Sequence, residues 1–305
     1  MKPNLKVAAV LILLILLAAC GKNTVLNPEE NNPQDISFGT DTTLDIATWN
    51  IKMFPEGTDI NSLTQMIPAL KADVIAFQEI MDYNAFMEMA SNIPNYAACV
   101  YDATPDYRLG YLYDTRTVTL NNQYTIYNND SNPFPRPPYV LDITWHGSEY
   151  YIIDNHLKAY GDNYIDETNS NDEEVRRRLA CQKLDTYIST TLPDKKVVVL
   201  GDMNDQIAEP PEYNVFLSFI NKPTEYLFAD MPIAEAPTYN NVSYPSSLSH
   251  IDHILITNEL FSDFTAAGSY CTSIKAENWL LSWSKYATTI SDHRPVGIRL
   301  APAVN

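Results

Sequence analysis

Six times in this chain an apolar, β-prone run meets an acid, an amide or an imidazole at its end. Trp49 is followed by Asn50, Phe77 by Gln78-Glu79, and Ile153 by Asp154-Asn155-His156. Leu200 is followed by Gly201-Asp202-Met203-Asn204; Asp252 lies within His250-Ile251-Asp252-His253, which opens a strand, and Ser291-Asp292-His293 precedes one. Singly, each has an ordinary structural explanation: a turn former, a helix cap or an Asx turn. Together they constrain the fold, because strand ends on one edge of a sheet lie close in space. Carboxylates gathered there repel unless they share protons or a cation. Oxygen ligands of this type suit Mg²⁺ or Mn²⁺ rather than zinc or copper.

The runs themselves indicate a mixed α/β domain of packed sheets with helices outside. Leu44 to Trp49 alternates as a strand does, and Val74 to Phe77 and Lys196 to Leu200 read as buried strands. Arg108 to Tyr113 and Thr117 to Leu120 read as neighbouring strands joined by a turn. Tyr139 to Trp145 and Tyr150 to Asp154 read as a hairpin around His146-Gly147. Ile251 to Thr257 and Pro295 to Leu300 complete the strands. Helices are predicted at Ser62 to Leu70, Tyr83 to Asn92 and Glu173 to Ser189, the last with Val175, Leu179, Leu184 and Ile188 as its apolar stripe. Residues 205–247, rich in proline and tyrosine, read as long loops near the site. No linker or repeat interrupts 44–301, which is expected to be a single domain and a monomer.

The hydrophobic fraction of 45% is enough for a sizeable core and excludes a wholly disordered chain. Lys+Arg is 20 against Asp+Glu 38, a formal charge of −18. This disfavours binding of polyanions through a broad basic face, so an anionic substrate must be met by a few local cations or a metal. Cys99, Cys181 and Cys271 permit at most one internal disulfide, or all three are small buried hydrophobes.

Lys2 and Lys6 precede an apolar run from Val7 to Ala19, 13 residues long, short for a membrane span and suited to a signal-peptide core. Leu17-Ala18-Ala19-Cys20 resembles a bacterial lipobox. The expectation is a signal peptide at 1–19, lipidation of Cys20, a flexible tether over 20–43, and a domain displayed in the cell envelope outside the cytoplasm.

The ordered set Trp49-Asn50-Ile51, Gln78-Glu79, Asn155-His156-Leu157, Gly201-Asp202-Met203-Asn204, Ser249 to His253 and Ser291 to Val296 resembles the endonuclease/exonuclease/phosphatase superfamily. It extends over about 44–300. The resemblance implies a DNase I-like four-layer sandwich, two packed mixed β-sheets flanked by helices, and phosphoester hydrolysis by a metal-assisted water. It implies a Mg²⁺ or Mn²⁺ ion on Glu79 with Asn50, and Asp292 as a further ligand. Asp202 and Asn204 would orient water and phosphate, and Asp252 would orient His293, the candidate general base or proton carrier. Because members differ over which group deprotonates the water, Asp202, Asp252 and His293 are assigned jointly. His156 would donate to the phosphate or protonate the leaving oxygen. Arg136 is either a phosphate contact like that of the nuclease branch or a rim arginine.

Other polar residues read as structural. His250, His253 and His146 fill strand or turn positions or face solvent, Lys52 and Lys158 are solvated, and Arg176-Arg177-Arg178 belongs to a salt-bridged helix. The substrate expected is a phosphodiester, foremost DNA or RNA. The alternatives are a lipid- or small-molecule-directed phosphoesterase and a non-catalytic binding module. The arginine-bearing motifs of phosphoinositide phosphatases are missing, and Trp279 to Trp283 is the one stretch suited to membrane contact, otherwise a half-buried strand or turn.

Overall fold

The computed structural model describes residues 33–102 and 106–302. The expected signal peptide over 1–19 and the expected lipidation site Cys20 lie outside them. No helix among the described residues is long and apolar enough to cross a membrane.

The first sheet begins with β1 (Leu44–Phe54), β2 (Val74–Ile80), β3 (Tyr96–Val100) and β4 (Arg108–Asp114). The second takes β5 (Val118–Thr125), β6 (Tyr139–Trp145), β7 (Ser148–His156), β8 (Val197–Asp202), β9 (Tyr226–Phe228) and β10 (Asp252–Thr257). β11 (Tyr270–Ser273) and β12 (Val296–Leu300) return to the first, giving the orders β11-β12-β1-β2-β4-β3 and β5-β6-β7-β8-β10-β9. Only β1–β2 and β7–β8 pair in parallel. A parallel pair needs a crossover, and α1 (Ile60–Leu70) and α3 (Glu173–Thr191) supply the two.

Apolar faces stack these elements into four layers. Leu63, Met66, Ile67 and Leu70 of α1 pack on Trp49 and Phe77 outside the first sheet. Ala180, Cys181, Leu184 and Ile188 of α3 pack on Val140, Ile153 and Val199 outside the second. Between the sheets Ile46, Val74 and Tyr111 meet Leu141, Ile152, Leu200 and Ile254. Each such buried aliphatic side chain contributes about 1.5–3 kcal/mol over exposure. Asp59 and Asp172 accept the Ser62 and Val175 amides and so cap α1 and α3. The predicted sandwich is therefore the observed one.

Several expectations need correction. β4 and β5 are not neighbours; the turn between them carries the chain from one sheet to the other. The stripe on α3 runs through Glu174, Arg177, Ala180, Cys181, Leu184 and Ile188, with Val175 and Leu179 only half-buried, because an internal ion pair occupies positions expected to be apolar. Residues 205–247 hold β9 and two short helices, α4 (Leu217–Ile220) and α5 (Met231–Glu235). The segment read as tether is packed from Ile36 onward: Ile36 and Phe38 are buried in the core, and the Phe38 and Gly39 amides donate to the Leu70 carbonyl. Trp279 to Trp283 spans the end of a 3₁₀ turn (Ala276–Leu280) and the start of a helix (Trp283–Thr289), with both tryptophans packed on the core. Cys99, Cys181 and Cys271 are free thiols.

Candidate active site

The C-terminal ends of β1, β2, β7 and β8 and the N-terminal ends of the antiparallel β10 and β12 fall on one edge of the sandwich. In register, His156 pairs with Asp202, and Asp202 with Asp252. Two irregularities aim the first sheet's residues inward. The β1–β2 register shifts between Asn50 and Phe54, and the β2–β4 register between Phe77 and Ile80. Lys52, Met53 and Glu79 there adopt φ of 43°, 50° and 65°. Left-handed non-glycine backbone costs about 1–3 kcal/mol each and persists where the surroundings fix it.

Glu79 Oε2 accepts the Met53 amide at 2.9 Å, and Oε1 accepts Asn50 Nδ2 at 3.1 Å. The same Nδ2 donates to Asp202 Oδ2 at 2.9 Å. Asn50 thus ties a carboxylate of one sheet to a carboxylate of the other. Its oxygen accepts the Lys52 amide, so the expected ligation by Asn50 requires its amide to rotate.

Asp202 is buried, and its Oδ1 accepts the Asn204 amide at 3.0 Å, closing the turn. Asn204 has φ 55°. Gly201 (φ 134°) lies against Asn155; a Cβ there would meet the Asn155 carbonyl oxygen at 1.9 Å, so only glycine lets β8 approach β7. His156 Nε2 stands 3.8 Å from Glu79 Oε1 and 3.7 Å from Asp202 Oδ2, beyond hydrogen-bond reach of both, and its Nδ1 has no partner.

His293 Nδ1 donates to Asp252 Oδ2 at 2.8 Å, while Nε2 points toward Asp202 Oδ2 at 4.0 Å. Asp252 Oδ1 is buried without a partner. Ser291 Oγ donates to the Asn50 carbonyl at 2.6 Å and accepts the His293 amide, binding this segment to β1.

The electrostatics divide the roles. Burial, reinforced by Asp252, pushes Asp202 up to about 7. Burial disfavours charge on His293 too, but Asp252, Asp202 and Asp292 outweigh it and raise it to about 10. The raised value favours the imidazolium of His293, which suits the proton-carrier side of its expected role better than that of base. Burial, Arg136 and His293 hold His156 well below its ordinary value, so it is neutral. A neutral imidazole can still donate a hydrogen bond, as the expected donation to the phosphate requires.

Asp292 belongs to neither carboxylate–imidazole group of the site and pairs instead with Lys52 at 3.3 Å, which leaves it beside rather than within the cluster. Arg136 stacks on Tyr107 at 4.8 Å, and Tyr107 stands edge-on to His156 at 6.3 Å. Burial lowers the Arg136 pKa against the pull of Glu79 and Asp202, and among the described residues its guanidinium has no ion pair or hydrogen bond. The triple arginine differs: Arg177 bonds Asp205 and Glu174, Arg178 pairs with Glu167, and Arg176 donates to the Asn132 carbonyl. Lys158 is not merely solvated; it pairs with Glu173.

Three contributors were not legible as site residues. Gln78 Nε2 donates to Asp154 Oδ1 at 2.6 Å across the two sheets, below the reacting centre. Tyr244 lies 4.8 Å, ring to ring, from His293. Asp230 binds both His250 and His253, which are interior rather than solvent-facing. Only Gln78 carried a signal, its place before Glu79.

Glu79, His156 and Asp202 each present a donor atom within 4.8 Å of the others, as do Asp202, Asp252 and His293. The hard carboxylate oxygens gathered there, that of Glu79 first, fit a divalent cation.

The sequence profile of the Endonuclease/Exonuclease/phosphatase family matches residues 47–293, and the chain belongs to that family. It is a phosphoester hydrolase of a class that works with divalent metal. Among solved structures, truncated TDP2 from Caenorhabditis elegans shares 12% identity at a TM-score of 0.62, over 85% of this chain and 98% of that one. TDP2 from D. rerio complexed with a single-strand DNA product shares 14% identity at TM-score 0.60, covering 85% and 99%. An endonuclease/exonuclease/phosphatase from Bacteroides vulgatus shares 16% at TM-score 0.58, covering 85% and 98%. At these identities the likeness is one of fold. A search of curated proteins finds no match.

Proposed function

We propose that the protein is a Mg²⁺- or Mn²⁺-dependent phosphodiesterase acting on DNA or RNA, held to the outside of a membrane by lipid on Cys20. The observation that carries the substrate class is Arg136, a half-buried guanidinium near Glu79 and Asp202 that has no ion pair or hydrogen bond among the described residues, in a chain of net charge −18. A permanent cation so placed fits an anionic phosphate docked beside the metal. The D. rerio TDP2 complex with single-strand DNA product supports nucleic acid over lipid. The packing of Trp279 and Trp283 onto the core also argues against a membrane-entering element.

Glu79, with Asn50 rotated, would hold the metal, and Asp292 would assist from beside it. When bound, that ion neutralises non-bridging phosphoryl oxygens and the charge of the leaving oxygen. Asp202 accepts the proton of the attacking water; raised to about 7, it is matched to that task at neutral pH. Asn204 keeps Asp202 aimed. His293, fixed by Asp252, donates from Nε2 to a phosphoryl oxygen as negative charge grows, and neutral His156 donates on the opposite side. Arg136 positions the phosphate.

Residues 33–305 should be tested with Mg²⁺ against plasmid DNA, single-stranded DNA, RNA and sphingomyelin. Metal-dependent cleavage of a nucleic acid that EDTA abolishes is the expected result. Release of phosphocholine alone would overturn the nucleic-acid reading.

A further inference from the structure

We propose that Asp230 and His253 form a buried positioning ion pair that, with His250, sets the relative placement of Asp252 and the Asp202 turn. This inference rests on the assignment of Asp202, Asp252 and His293 to the reaction.

The hydrogen bonds define the protonation states. Ser243 N donates to His250 Nδ1 at 3.1 Å, so the His250 proton is on Nε2, and that nitrogen donates to Asp230 Oδ2 at 3.0 Å. His253 Nε2 faces the Asp205 carbonyl at 2.8 Å, which can only accept. His253 Nδ1 lies 2.6 Å from the same Asp230 Oδ2. Asp230 Oδ1 accepts the Ile254 amide at 3.0 Å. With three donors converging on it, Asp230 is a carboxylate, and His253 with both nitrogens donating is an imidazolium. All three side chains are at most 1% exposed. The donors are spent on this network, and contacts of 2.6–3.0 Å are hydrogen bonds rather than the sides of a metal polyhedron.

The frame reaches the reacting groups from two sides. His253 holds the Asp205 carbonyl, three residues past Asp202. Arg177 holds the Asp205 side chain at 2.7 Å. His250 holds Ser243, whose hydroxyl accepts the Ile251 and Asp252 amides at 3.1 and 3.2 Å, and whose carbonyl accepts the Arg294 amide at 2.7 Å. Asp230 thus joins the turn of Asp202, the backbone of Asp252 and the residue after His293. Misplacement of about 1 Å at a reacting group costs about a hundredfold in rate.

The test is Asp230→Asn, which keeps the shape but removes the charge and sets an amide N–H against either the two imidazole donors or the Ile254 amide, beside Asp230→Ala and the wild type. The hydrolysis of a nucleic-acid substrate with Mg²⁺ is measured per folded molecule, with folding checked by near-ultraviolet circular dichroism. The expected result is a kcat drop of about 10- to 100-fold with KM within about twofold. A variant that folds less well but turns over at the wild-type rate per folded molecule would assign Asp230 to stability alone and overturn the proposal. The ¹H–¹⁵N spectrum of the five histidines needs no substrate. In the wild type His253 should show two protonated nitrogens, and in Asp230→Asn the His293 Nδ1–H signal should broaden or vanish. An unchanged His293 signal would overturn the inference even if no substrate were cleaved; a changed signal without any phosphodiester cleavage would sink the functional reading alone.

Discussion

Among the described residues, two buried carboxylate–imidazole groups meet at β10, where His253 of one follows Asp252 of the other, and they have opposite characters. Around Asp230, both carboxylate oxygens and all four ring nitrogens of His250 and His253 have partners. Around Asp252, one carboxylate oxygen has none, His293 Nε2 reaches only to 4.0 Å of Asp202, and His156 makes no hydrogen bond with Nδ1. The residue types are the same. What separates a reacting centre from a brace is incomplete bonding: the open group keeps valences for water, phosphate and metal, whereas the closed group has spent its own on one another.

The largest effect should come from emptying the open group. Asp202→Asn or His293→Ala should lower kcat by about 10²–10⁴-fold while leaving the fold intact. Steady-state kinetics with Mg²⁺ at pH 8 check this, and retention of more than a tenth of the wild-type kcat would merge the two groups into one structural class.

Breaking the closed group should in addition cost stability. His253→Leu leaves Asp230 charged and buried without its counter-ion, so urea denaturation should show a loss on the order of 3–5 kcal/mol. A loss below about 1 kcal/mol would mean the pair is not ionic.

Arg136→Ala should raise KM about tenfold or more with a smaller change in kcat, as expected for loss of one charge-assisted hydrogen bond worth roughly 1.5–3 kcal/mol. If kcat falls instead and KM holds, Arg136 acts on the transition state.

A last comparison concerns pH. Asp202 is raised to about 7 from an ordinary 3.8, so its contribution to stability is complete below pH 4 and is lost as pH rises through 7. Asp202→Asn should therefore gain on the wild type between pH 4 and 8, with no relative gain between 8 and 9. The activity of the wild type should rise through about pH 7 as Asp202 ionises and fall through about 10 as His293 loses its proton. A profile flat between 6 and 8 would exclude Asp202 as the base.

How much of this was readable follows from where the information lies. Each open-group residue sits at the end of an apolar run, so Glu79, Asp202 and His293 stand out locally, and the six ends converge once strands form. Asp230 does not, because it follows β9 in a loop and its partners lie 20 and 23 residues away, just before and within β10. His250 and His253 looked interchangeable with surface histidines since nothing local shows an internal counter-ion. The same holds for α3, whose Glu174 and Arg177 occupy core positions only because Asp205 arrives from β8's turn. The separation of β4 from β5 was hidden for a related reason: a short turn joins strands of one sheet or of two, and only long-range pairing decides. Protonation states, which bear on whether His293 serves as base or proton carrier, depend on burial and neighbours that no sequence window contains.

The most direct measurement is Mn²⁺ binding followed by electron paramagnetic resonance in wild type, Glu79→Gln and Asp230→Asn. Tight binding of Mn²⁺ that is lost in Glu79→Gln and kept in Asp230→Asn is the predicted result. Binding that survives Glu79→Gln and disappears in Asp230→Asn would place the metal in the closed group and contradict the division of roles between the two clusters.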